Sequence, residues 1–121
     1  PKWNQKWAFC EACRSAMSEI TQDRMEAALH YLGETDAVFS LEKADLERSE
    51  ISRKRVRARV FLTEVGTVAE RQAKAEIHED AVTADDRYIG CIESFETLKA
   101  RRQRAEIVIE VWRSINANRR K

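Results

Sequence analysis

The only proline among the 121 residues is the first, and the only glycines are Gly33, Gly66 and Gly90. A sandwich or barrel of short strands needs a turn residue every eight to twelve positions or so, and this chain has no such supply. Ala, Glu, Arg, Lys and Leu make up about half of the residues, the composition of long helices and coiled coils. The expected fold is therefore all-α: a long antiparallel helical hairpin, coiled-coil-like, with a shorter N-terminal helical segment over residues 1–33, the whole forming one domain. At this length a few thin helices bury little apolar surface alone, so an oligomer is expected.

The glycines divide the helical pattern. A first segment from Trp7 to Leu32 carries Met17, Ile20, Met25, Ala28, Leu29 and Leu32 and is expected to end at Gly33. Ser18 or Thr21 could restart it. Thr35 then reads as an N-cap, followed by a helix to about Glu64 with Ala37, Leu41, Ala44, Ile51, Ala58 and Leu62 spaced by threes and fours, Arg48 and Arg55 interrupting. Gly66 reads as the hairpin turn within 35–121, with Thr67-Val68-Ala69-Glu70 as a capping box and Val65 as its hydrophobic staple.

Beyond the turn, a seam of Ile77, Ala81, Ala84, Tyr88, Cys91, Phe95, Leu98, Arg102, Ala105, Ile109 and Trp112 predicts one helix to about Ile115. Such a helix would span roughly 70 Å. Gly90 within it is expected to mark close packing or a kink. Phe95, Leu98, Ile109 and Trp112 are the predicted core or oligomer contacts, and the cluster of Ile107, Val108, Ile109, Val111 and Trp112 is expected to be buried on several sides. Asn116 to Lys121 reads as a frayed basic tail.

The formal charge of +1 conceals blocks: residues 1–50 carry −4, 51–60 carry +5, 61–96 carry −6 and 97–121 carry +6. The first basic block is Arg53, Lys54, Arg55, Arg57 and Arg59; the second is built around Lys99, Arg101, Arg102 and Arg104. Like charges one helical turn apart repel, so something must offset them. Either acidic residues across the hairpin do so, Glu76 and Glu79 in particular, or a phosphate backbone does. Arg102 lies on the apolar seam, where it needs an acidic partner, a route to solvent or an anion.

Catalysis is not expected. Cys10 and Cys13 form a C-x-x-C with no second pair, Cys91 is remote, and His30 and His78 are isolated, so no metal site and no cofactor are predicted. The acidic run Glu79, Asp80, Asp85 and Asp86 lacks the turn residues of a cation loop. No apolar run is long enough for a membrane span and no leader is recognisable, so the expected location is cytoplasmic. Trp3, Trp7 and Phe9 are read as core or partner contacts.

The order of features, a basic helix ending in Arg57-Ala58-Arg59-Val60-Phe61-Leu62, a short glycine turn and a long amphipathic helix with an aromatic-rich end, resembles the UvsY-like recombination mediators of tailed phages. The resemblance covers about residues 50–115. Arg57 and Arg59 match the two basic positions of the family motif, and Phe61 falls near its aromatic. It implies a protein of the host-cell cytoplasm that binds single-stranded DNA as a ring-like oligomer, helps displace the single-strand-binding protein and loads a recombinase. Arg53, Lys54, Arg55, Arg57 and Arg59 would hold phosphates, with Lys99, Arg101 and Arg104 as a second basic surface. The alternative is a non-catalytic helical interaction or assembly factor of phage origin that does not bind DNA.

Overall fold

The structure, a computed structural model, describes residues 20–120, and these are helical almost throughout. Three helices follow in order: α1 (Gln22–Thr63), α2 (Val68–Ile77) and α3 (Glu79–Arg119). Trp3, Trp7, Phe9 and the Cys10/Cys13 pair lie outside the described residues, as does the start of the helix expected from Trp7.

The helix expected to end at Gly33 does not end there. α1 begins after Thr21, whose hydroxyl accepts from the Arg24 amide at 3.3 Å, and it continues through Gly33 for 42 residues. Glycine permits a helix end without compelling one, and a single glycine costs a helix only about 1 kcal/mol. Thr35 is accordingly no N-cap. Its hydroxyl donates back to the Tyr31 carbonyl at 2.7 Å, the usual resting place of a mid-helix threonine.

Gly66 does make the turn. Its φ of 130° lies where L side chains are strained, and a Cβ there would strike the Glu70 carboxylate. Thr67 caps α2 as expected, accepting from the Glu70 amide at 3.2 Å. The staple does not form, since Val65 is 81% exposed. The C-terminal end of α1 is instead served from α2: Arg71 Nε donates to the Phe61 carbonyl at 3.0 Å and Lys74 Nζ to the Val65 carbonyl at 2.9 Å. Arg71 thus satisfies an acceptor that the helix end leaves open, at its negative pole, and Lys74 one in the turn that follows.

The second arm is interrupted at His78, where a single helix was expected. His78 adopts φ −61° and ψ 140°, ends α2, and turns its ring Nδ1 onto the Asp80 amide at 3.1 Å. A ring nitrogen thus does for α3 what a serine or aspartate oxygen does at an ordinary N-cap. Gly90 does not mark close packing: α3 runs through it, and no atom lies within 4 Å of where its Cβ would stand. At its far end α3 runs to Arg119, so most of the expected tail is helix.

The chain divides into two compact units, one of residues 1–35 with 101–121 and the other of residues 36–100. In the first, Ala28, Ala105 and Ile109 form the buried core, with Met25, Tyr31, Leu32 and Val108 packed against it. Trp112 is half-buried, whereas Ile107 is exposed, so the C-terminal apolar cluster is not covered all round. Arg102, on the seam, donates to the Leu32 carbonyl at 2.9 Å and to the Thr35 hydroxyl at 2.6 Å.

In the second unit Val60, Ala75, Ala81 and Phe95 are buried, Leu98 is half-buried, and Phe95 stacks on Phe39 with centroids 5.2 Å apart. The α3 seam faces inward as read from sequence, except that Ile77, beside the His78 break, is 79% exposed. The seam of α1 is the other way round. In this unit the residues of α1 turned inward include Phe39, Glu42, Leu46, Ser49, Arg53, Val56, Arg57 and Val60, while Leu41, Ile51 and Leu62 are 61%, 48% and 74% exposed.

Candidate nucleic-acid interface

The basic block 53–59 occupies about two turns of α1, and helical geometry sorts it by face. Residues at i and i+4 share a face, so Arg53 and Arg57 point one way and Arg55 and Arg59 another. Arg53 and Arg57 turn toward α2 and α3 of the same unit. Arg57 grips Asp85 with a two-pronged pair, Nη1 to Oδ1 at 2.8 Å and Nη2 to Oδ2 at 2.5 Å. It also donates to Glu76, Nε to Oε1 at 2.9 Å and Nη2 to Oε2 at 3.3 Å. Arg53 Nε adds a third contact to Asp85 at 3.1 Å, and its guanidinium lies 4.8 Å from the centre of the Tyr88 ring. Of the two acids expected across the hairpin, Glu76 takes part; the main partner is Asp85 rather than Glu79.

This hub has an electrostatic signature. Hydrogen bonds from Arg57, and then from Arg53, hold the Asp85 carboxyl well below the usual carboxylate range, at about 2 against an ordinary 3.8, despite partial burial that works the other way. The Arg57 guanidinium is in turn held even more firmly protonated by Asp85 and Glu76. A carboxyl whose folded-state value is depressed contributes stability above its unfolded value and loses it as pH falls through the folded one. Thermal melts followed by circular dichroism should therefore drop between pH 3.8 and about 2. Asp85→Asn should melt lower than the parent above that window and show a shallower slope within it; equal slopes would remove the hub from the account of stability.

The outward residues are differently placed. Arg55 is exposed and makes no ion pair among the described residues. Arg59 is exposed and reaches Asp80 only at 3.6 Å, and Lys54 is paired at 3.6 Å with Glu50 on its own helix. Arg48, Arg55 and Arg59 line an open groove along the outer face of α1 with Ser52, Ile51 and Val56. The guanidiniums of Arg55, of Arg59 and of Arg48, the last donating to Asp45 of its own helix at 3.2 Å, offer donors for phosphate oxygens with the Ser52 hydroxyl, and the exposed Ile51 an apolar surface for a sugar or base. Arg48 was read from sequence only as an interruption of the apolar line; its four- and seven-residue spacing to Ser52 and Arg55 is the signal that places it here.

The second basic cluster is also turned outward. Lys99 is exposed in the unit of residues 36–100, and Arg101 and Arg104 are exposed in the other unit. None of the three makes an ion pair among the described residues. No cluster of three or more His, Cys, Asp or Glu that could hold a metal occurs among the described residues, and no described helix is long and apolar enough to cross a membrane. Compared with known proteins, the chain matches no family model, no curated protein and no solved structure.

Proposed function

We propose that this chain is a non-catalytic, single-stranded DNA-binding accessory protein of phage recombination or replication, acting as a homo-oligomer that helps load a recombinase or annealing protein against the single-strand-binding protein. The observation that carries the reading is the division of the arginine block. Arg53 and Arg57 are neutralised within the molecule, while Arg55 and Arg59 remain on the outer groove with Arg48. Contacts of this kind recognise phosphate and not base sequence, and repetition by self-association would multiply a few modest contacts into useful affinity.

The test follows from the same division. Arg55→Ala with Arg59→Ala removes outward charge without touching the hub, so helicity should be unchanged. Fluorescence anisotropy with labelled oligonucleotides of several sequences should show weakened binding of similar size for each. The dependence of log affinity on log salt should flatten by about 0.7 for each phosphate no longer neutralised. Unchanged affinity at moderate salt would sink the reading.

A second reading, a helical interaction or assembly factor, is favoured by a separate observation. Leu41, Ile51 and Leu62 stand more than two-fifths exposed on one helix face, an unusual place for three large aliphatic side chains. Binding of oligonucleotides by the parent protein separates the two readings.

A further inference from the structure

We propose that the outward face of α1 is the contact between two copies of this chain, packed antiparallel along residues 37–62. The proposal rests on the self-association in the reading above and not on its DNA binding; the contact covers Arg48 and Ile51 of the groove and leaves Arg55 and Arg59 at its rim as the phosphate donors. The line Ala37, Leu41, Ala44, Arg48, Ile51, Arg55, Ala58, Leu62 repeats with strict alternation of four and three residues. That is the spacing of a coiled-coil seam. It is distinct from the line Phe39 to Val60 that faces inward, so α1 carries two seams and its own chain covers one.

The order of residues in the outward seam points to a second copy. Reversed about the midpoint between Ser49 and Glu50, the line falls on itself: Ala37 opposite the partner's Leu62, Leu41 opposite the partner's Ala58, Ala44 opposite the partner's Arg55, Arg48 opposite the partner's Ile51. Three of the four kinds of layer set a small side chain against a large one, which fills space without a void or a clash. Self-complementarity under a two-fold axis is what an isologous contact requires. Facing only an alanine, Arg55 has room to lay its aliphatic stem across the seam and carry its guanidinium to the rim, where a phosphate can still reach it.

Charge favours this direction, in which the two copies' Arg48 lie in neighbouring layers and not in the same one. In the antiparallel arrangement Glu47 flanks the seam opposite the partner's Lys54, and symmetry makes that pair twice. A parallel arrangement would stack Arg48 on Arg48 and Arg55 on Arg55 within the seam and bring Lys54 beside the partner's Arg59. Like charges so placed oppose association.

Sedimentation equilibrium of the full chain over micromolar concentrations tests this. The parent should be a dimer, and Leu41→Asp with Ile51→Asp should be monomeric with unchanged helicity, because both side chains are already solvated within one chain. Glu47→Lys and Lys54→Glu should each weaken the dimer by about tenfold, the two symmetric pairs turning repulsive, and the double exchange E47K/K54E should restore it. A monomeric parent, an assembly untouched by the two aspartates, single exchanges without effect, or a double exchange that fails to rescue would each overturn the proposal. A monomer that still binds oligonucleotide in the anisotropy assay would overturn this contact alone and leave DNA binding standing.

Discussion

Phe95→Ala should destabilise the fold by about 3 kcal/mol, the lower part of the range for removing a buried aromatic ring. Phe95 is the largest of the buried apolar side chains described in the unit of residues 36–100, the others being Val60, Ala75 and Ala81. Its ring stacks on Phe39 at an interplanar angle of 27°, and aromatic pairs contribute beyond the area they bury. Alanine at 95 would leave Phe39 facing the space that its stacked partner ring had filled. The site is 9% exposed, so water and partial collapse relieve some of the loss, which places the effect low in the range. Urea titration followed by circular dichroism should show an earlier midpoint with an unchanged slope. A loss under about 1 kcal/mol would mean that the ring pair does not hold this unit together. Parent and variant must be compared at one protein concentration, because any self-association adds to apparent stability.

Gly33→Ala and Gly90→Ala should move stability the other way, by about 1 kcal/mol each and about 2 kcal/mol together. Both glycines are inside helices, and both have open space where a methyl group would stand. Alanine removes backbone freedom from the unfolded chain and introduces no clash in the folded one. Additivity is expected because the two sites belong to different units and share no neighbour. Gly66 is the opposite case, since there φ of 130° and the Glu70 side chain both oppose a methyl group. Melting temperatures of the two single variants and the double variant check the prediction; a destabilised single variant would show that its glycine is covered by something absent from an isolated chain.

Local signals in the chain were reliable where a local cause suffices. The Gly66 turn follows from a backbone angle that other residues resist, and the Thr67 cap from a hydroxyl within reach of the Glu70 amide. The inward seam of α3 could be read because nearly every position on it is apolar. Errors arose where a local signal permits an outcome without requiring it. Gly33 and Thr35 together look like an end and a beginning, yet the helix passes through them, because one glycine costs less than a broken helix beside a packed core. His78 gave no warning, as its ring nitrogen caps α3 in a role that sequence patterns assign to small oxygen-bearing side chains.

The candidate site was legible as a block and not as a face. Counting charge locates Arg53 to Arg59, and helical spacing separates Arg53 and Arg57 from Arg55 and Arg59. Which pair turns inward depends on Asp85, between 28 and 32 residues further along the chain. Internal pairing accounts for Arg53 and Arg57, while Arg55 and Arg59 stay exposed on the other face of the same helix.

The sequence by itself determined that the described residues are helical, that the chain turns at Gly66, and that α1 bears an unbroken four-three line of residues. All of these depend on backbone preferences and on spacing along one helix. Only the tertiary structure decided which of the two lines of α1 is buried. The inward line contains Glu42, Ser49 and Arg53, and apolar counting passes it over in favour of Leu41, Ile51 and Leu62. Arg53 can go inside because distant Asp85 and Tyr88 meet its charge, and no periodicity within α1 records that such partners are coming; Ser49 is satisfied within the helix by the Leu46 carbonyl, and one carboxylate oxygen of Glu42 is buried without a hydrogen-bond partner.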